Sequence, residues 1–152
     1  MSARVIGLHV HGRKGAPVRP VSEVSGRVGG GIVGDSHAGR TRRAVLVVDR
    51  STLDAHGLRP GDLREQITVD GLPDVTALPP ETLLRVGGLT LRVNGPCEPC
   101  TRIGGLLGVE DVEAFRRSLV GRRGAVCTVV AAAAQARIGD AVQVLAEVAP
   151  AP

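Results

Sequence analysis

The hydrophobic positions fall in short runs cut by glycine and proline, a spacing that suits strands better than long helices. Arg4-Val5-Ile6-Gly7-Leu8-His9-Val10 predicts a first strand. Val18, Val21, Val24 and Val28 mark a second extended segment, broken at Pro20. Ala44-Val45-Leu46-Val47-Val48-Asp49 is apolar without alternation, which predicts a strand covered on both faces. Residues 51–57 read as a short helix stopped by Gly57, and Ile67-Thr68-Val69 returns to the sheet. Two further strand-like runs, 83–86 and 89–93, flank Gly87-Gly88, a hairpin signal.

One clear helix is predicted over 109–119, with Val112, Phe115 and Leu119 on one face. Acids stand at its start and arginines at its end, as the helix dipole favours. Phe115 is expected to be the largest side chain in the core. Two strands close the pattern, at 125–130 and, after the turn Ile138-Gly139-Asp140, at 141–145. Strands that do not alternate with helices predict a mainly β fold, a closed or partly open barrel with a few short helices.

The length of 152 residues suits a single domain, expected over 1–148, with 149–152 as a frayed tail. No apolar run approaches the roughly 18 residues that span a membrane. The first fifteen residues carry charges and histidines where an export signal needs an apolar stretch. Three cysteines do not make a paired disulfide framework, so a reducing cytoplasm is the expected location. Aromatic residues are 1% of the chain, Phe115 alone, which argues against the stacking platforms of single-stranded nucleic acid binding. Lys14 is the only lysine and lies in an exposed-looking Gly-Arg-Lys-Gly stretch. The chain is therefore not expected to be a pyridoxal-phosphate enzyme, which needs a lysine for its Schiff base. The 19 basic residues exceed the 15 acidic ones by four. Nearly all are arginine, whose planar fork suits phosphate and carboxylate. That excess fits an anionic ligand, an acidic partner protein or simple solubility.

Three segments carry candidate chemistry. The richest is Asn94-Gly95-Pro96-Cys97-Glu98-Pro99-Cys100-Thr101-Arg102, with two cysteines in a proline-stiffened loop expected to hold both thiols at the sheet surface. A cation such as Arg102 favours the thiolate, which is both nucleophile and metal ligand. Three uses compete: a structural zinc site completed by Cys127 and a histidine, a Cys97/Cys100 redox pair, or one reactive thiol that takes sulfur or binds a metal cofactor. Cys127, inside an apolar strand, reads as a small core residue. The second segment runs from Gly29 to Arg40. Its glycines permit backbone amides to cradle an anion, within reach of His37 and Arg40, and Arg42 and Arg43 extend the basic strip. The third is Arg64-Glu65-Gln66 at the mouth of a strand, where Glu65 can orient an arginine or accept from a ligand. His9 and His11 share a face of the first strand and form a possible metal pair, and His56 reads as a surface residue.

Taken together, these segments resemble the MOSC family, the domain found at the C-terminus of molybdenum cofactor sulfurases. Gly31-Ile32-Val33-Gly34-Asp35-Ser36-His37-Ala38-Gly39 and the run from Pro60 to Leu72 stand in the family's order. They are followed by Val86-Gly87-Gly88, Pro99-Cys100, Gly121-Arg122-Arg123-Gly124 and Ile138-Gly139-Asp140-Ala141-Val142. The family usually shows Glu-Asn where this chain has Glu65-Gln66. The resemblance covers nearly the whole chain, so the chain looks like a stand-alone member.

The resemblance implies a β-barrel and a cysteine that handles sulfur or ligates molybdenum. The Pro-Cys match makes Cys100 the catalytic and metal-ligating candidate, with Cys97 auxiliary. It implies binding of the molybdenum cofactor, a pterin dithiolene with a phosphate tail. Gly34, Asp35, His37, Arg40, Arg43, Glu65 and Arg102 are the candidates to hold it. The implied activities are sulfur transfer or reduction of N-hydroxylated compounds. The implied partners are a pterin-type cofactor or a sulfur-containing small molecule, with a pyridoxal-phosphate-dependent cysteine desulfurase as a sulfur donor; neither nucleic acid nor membrane is expected.

Overall fold

A computed structural model describes residues 3–13, 15–72 and 74–146. Seven strands close into a barrel: β1 (Ala3–Val10), β4 (Val45–Asp49), β5 (Ile67–Asp70), β6 (Leu83–Val86), β7 (Leu89–Pro96), β8 (Ala125–Ala132) and β10 (Ala141–Ala146). Their order around the barrel is β10-β6-β7-β8-β4-β5-β1, and β1 pairs back onto β10 through Ala3–Val142 and Arg4–Ala141. Closure removes the exposed edges that an open sheet would present. Two-residue strands β2 (Arg19–Pro20), β3 (Glu23–Val24) and β9 (Ala136–Arg137) decorate the barrel. The expected second extended segment is thus two short pieces, and Val28 lies exposed beyond them. The frayed tail expected at 149–152 lies outside the described residues.

β7 shows strand periodicity plainly. Leu89, Leu91 and Val93 point into the barrel, while Thr90, Arg92 and Asn94 alternate outward. β4 lacks alternation because both of its faces are covered. Val45 and Val47 enter the barrel core, and Val48 joins a second cluster with Leu53, Leu63, Ile103 and Leu119 beneath the helices. β4 and β5 are the parallel pair, joined across α1 (Arg50–Ala55). Asp49 caps α1 by accepting from the Thr52 N–H at 3.0 Å.

The connection from β7 to β8 holds two helices. α2 (Thr101–Leu107) has no counterpart in the hydrophobic pattern, and α3 (Val112–Ser118) is shorter than the predicted span. Gly104 and Gly105 disguise α2, yet Gly104 is what lets the helices meet. A Cβ there would lie 2.9 Å from Val109 Cγ2 and 3.3 Å from Phe115 Cδ2. Asp111 caps α3 by accepting from Ala114 N–H at 2.9 Å. The predicted acid-first, arginine-last order holds, with Glu113 in the first turn and Arg116 and Arg117 in the last.

The packing expectation for α3 is corrected. Leu119 is fully buried, whereas Phe115 is half-buried and only leans on the second cluster. The barrel interior is instead filled by Leu, Ile and Val, which pack between strands without a large ring. His56 is not a bare surface residue. Its Nδ1–H donates to Thr52 O at 2.8 Å, and its ring meets Phe115 edge-on at 6.1 Å, joining α1 to α3.

Candidate functional site

A cleft of about 440 Å³ opens where the loop after β1, the loop before β4, the start of β5 and the β7–α2 turn converge. His11, Ser36, His37, Gln66, Cys97 and Cys100 line it. So do six arginines: Arg13, Arg40, Arg43, Arg64, Arg102 and Arg123. Among the described residues no carboxylate lies on its wall. Six guanidiniums against the two carboxylates buried behind the wall, Asp35 and Glu65, leave a positive field that favours anions.

Two arginines show the strain of this crowding. Burial pulls Arg64 below its ordinary range, and the neighbouring Arg102 and Arg123 push it further. Its backbone stands at φ 61°, and its Nη1 donates to Ala16 O at 2.9 Å. Arg123 is buried, which lowers its affinity for the proton, while Cys97, Glu65 and Cys100 favour its charge. Its Nη1 has no hydrogen-bond partner among the described residues. A buried guanidinium is costly to desolvate, and the nearby charge of Glu65 offsets part of that cost, while Arg123 as a whole borders the cleft and adds to its positive field.

The thiols divide. Cys100 is exposed at the start of α2. Cys97 is buried, contrary to the expectation that both thiols sit at the surface. Its N–H donates to Gly124 O at 2.8 Å, which draws it inward. Arg43 Nη2 reaches Cys97 Sγ at 3.7 Å. Arg43 is itself placed by a lattice around Asn94, whose Nδ2 donates to Arg42 O at 2.7 Å and Thr128 Oγ1 at 2.8 Å. Cys127 is fully buried in β8, and burial pushes its thiol up to about 12. It is the core residue the sequence implied. Cys97, Cys100 and Cys127 do not assemble with a histidine; among the described residues the one cluster of three metal-type ligands is His11, Asp35 and His37. The closed zinc site is therefore not formed.

That cluster is a hydrogen-bond relay. Asp35 accepts from the backbone N–H of His11 and of His37, each at 2.7 Å. Burial pushes its carboxyl up, but the hydrogen bonds offered by these two histidine residues outweigh this and hold it far below the usual carboxylate range. His11 Nε2 lies 2.8 Å from Arg64 O, a carbonyl that only accepts, so Nε2 carries the proton. His11 Nδ1 is then an acceptor, 2.9 Å from His37 Nδ1. Gln66 Oε1 accepts from Leu46 N–H at 2.7 Å, which turns its amide nitrogen toward His11 Nδ1 at 3.3 Å. An N–H donor aimed into the cluster, beside six arginines, occupies the place a cation would need. The separations of 2.9 and 3.1 Å around His37 Nδ1 are those of hydrogen bonds already satisfied within the protein.

Of the residues singled out from the sequence, Cys97, Cys100, His37, Arg40, Arg43 and Arg102 meet in this cleft. Asp35 is buried behind it and acts through the histidines. Gly34 does not line it, and neither do the other glycines of the segment. The amides of Gly29, Gly30 and Gly31 bond to Val129 O, Arg27 O and Ala38 O, so they build a turn and form no cradle. A Cβ on Gly30 would lie 2.2 Å from Ala38 O, so only glycine lets this turn close. Glu65 is also misplaced by the sequence reading. It is fully buried off the cleft, where Oε2 accepts from Thr68 Oγ1–H at 2.6 Å and Gly61 N–H at 3.1 Å. Burial holds its carboxyl above the ordinary range despite those bonds. His9 and His11 part company: His9 lines a neighbouring hollow with Pro17, Pro60 and Leu107. Arg13, Arg64, Arg123 and Gln66 were not singled out as ligand contacts. Arg123 had one signal, an arginine pair held between Gly121 and Gly124.

Comparison with known proteins bears on this architecture. Among curated proteins no match was found. The YuaD protein from Bacillus subtilis superposes with a TM-score of 0.83 at 24% identity, covering 93% of this chain and 94% of that one. YiiM from Escherichia coli superposes at 0.72 with 18% identity, covering 99% and 72%. YiiM from Geobacillus stearothermophilus does so at 0.70 with 14% identity, covering 95% and 75%. At these identities the likeness is one of fold. The family model for the MOSC domain matches residues 34–143, a span that takes in Asp35, His37, Cys100 and Arg123. The chain therefore belongs to the MOSC domain family.

Proposed function

We propose that this chain binds the molybdenum cofactor in the arginine cleft, with the Cys100 thiolate as the group that ligates molybdenum or accepts sulfur. Membership of the MOSC family supports a role connected with that cofactor in general. The observation that carries the finer reading is that Arg64, Arg102 and Arg123 crowd the wall of the cleft that Cys100 also lines.

The residues fit such a group. A soft thiolate suits molybdenum or sulfur, and arginine forks suit a phosphate tail. The cleft falls within the usual range for small-molecule sites, roughly 300–1,000 Å³. A pterin ring would find no aromatic platform here, but guanidinium planes stack on flat rings as well. Arg64, Arg102 and Arg123 would take the anionic part, and Cys100 the metal or the sulfur. When bound, the cofactor supplies two-electron redox chemistry at molybdenum. The chain's own part is to hold it, to present the exposed Cys100 sulfur beside the arginines, and to fix the His37 ring through Asp35.

Anaerobic purification from a host that makes the cofactor, followed by molybdenum and pterin analysis, tests this. Both should be present in near-equal amounts. A chain that carries neither, yet forms a persulfide on Cys100 with a sulfur donor, would be a sulfur carrier instead.

A further inference from the structure

The relay behind the cleft fixes one more property. His37 Nδ1 lies 3.1 Å from Asp35 Oδ1, an ionised carboxylate that only accepts, and 2.9 Å from His11 Nδ1. His11 Nδ1 is an acceptor because its Nε2–H is given to Arg64 O. Both neighbours demand a proton on His37 Nδ1. In a neutral ring the lone pair is then on Nε2. Nε2 has no hydrogen-bond partner among the described residues, and about a quarter of the side chain remains exposed, on the cleft wall. The reverse arrangement, with the lone pair on Nδ1, would set it against the Asp35 carboxylate.

The rest of the wall offers the opposite chemistry. The arginines only donate, the Gln66 amide and both His11 nitrogens are engaged, and no carboxylate is present among the described residues. Among the described residues, besides the Ser36 hydroxyl and the sulfurs, His37 Nε2 is the side-chain acceptor offered to a ligand.

We propose that His37 makes the cleft selective for anions that carry a hydrogen-bond donor, its Nε2 accepting from an O–H or N–H of the ligand while the arginines take the charge. This rests on the anionic reading of the cleft and names the class of anion it takes. A ligand lacking the donor leaves the Nε2 lone pair desolvated and unpaired, and sites of that kind discriminate sharply.

Hydrogenphosphate and sulfate separate the two claims. They match in shape and charge, but only hydrogenphosphate carries an O–H. At about pH 8.5, where ordinary imidazoles are neutral, titration calorimetry at low ionic strength should show hydrogenphosphate binding at least about tenfold tighter than sulfate. In His37→Ala the two should converge to within about threefold. Equal affinities in the wild type would overturn the role of His37 and leave the anionic cleft standing. Failure of both anions to bind would overturn the anionic reading itself. Long-range ¹⁵N–¹H spectra of the wild type give an independent check that needs no variant. His37 should be the Nδ1–H tautomer and His11 the Nε2–H tautomer; a proton on His37 Nε2 would refute the proposal.

Discussion

The imidazoles of His11 and His37 meet Nδ1 to Nδ1 at 2.9 Å, with Asp35 beneath both. They come from segments 26 residues apart, so this pair ties the loop after β1 to the turn before β4. Asp35→Asn keeps the shape but loses the charge that both backbone N–H groups and the His37 ring address. It should cost about 2–3 kcal/mol in chemical denaturation, the scale of hydrogen bonds to a charged group. The folded-state carboxyl is held low, so its stabilisation is complete above about pH 4 and is lost as pH falls further. The variant should lack that acid-side decline. Equal acid sensitivity in both proteins would remove Asp35 from this role.

Thiol reactivity should follow exposure. Timed alkylation with peptide mapping should label Cys100 first, Cys97 more slowly and Cys127 last. Labelling of Cys127 ahead of Cys100 would reverse the assignment of the reactive thiol.

The helix pair makes a quantitative contrast. Leu119 is fully buried and Phe115 half-buried, although Phe115 is larger. Leu119→Ala should cost about 2–4 kcal/mol and Phe115→Ala about 1–2 kcal/mol, since partial exposure lowers the usual cost of truncating a phenylalanine. A larger loss at Phe115 would mean that the ring, not Leu119, anchors α3.

These contrasts show what was legible in the chain itself. Strand runs announce their burial: the unbroken apolar stretch of β4 implied two covered faces, and both are covered. Cys127 was legible for the same reason. α2 was not, because Gly104 and Gly105 are poor helix formers, and the helix contact that requires Gly104 leaves no local pattern. The cysteine loop stood out by its prolines, but the inward turn of Cys97 depends on a bond to Gly124, far along the chain. Glu65 looked like a ligand group because charge normally means exposure. Its burial becomes sensible only once Thr68 and Gly61 are seen beside it. Arg123 reaches the cleft because β8, which it precedes, pairs with β4 and β7, and spacing does not encode that pairing.

The glycine turn offers a structural test independent of ligand. Gly30→Ala places a methyl 2.2 Å from Ala38 O, so backbone must move. A loss of about 1–3 kcal/mol is expected, the scale of overpacking, together with shifted His37 resonances. A silent substitution would mean that the turn carrying Asp35 and His37 is looser than its contacts imply.

The central claim is that the arginines and Cys100 hold one ligand between them. Molybdenum and pterin measured side by side, in protein purified anaerobically from a cofactor-producing host, test it most directly. Wild type should carry both. Cys100→Ser should keep most of the pterin and lose molybdenum or its sulfur, while Arg64→Ala/Arg102→Ala should lose both together. Wild-type protein that carries neither, or variants that retain both at wild-type levels, would contradict it.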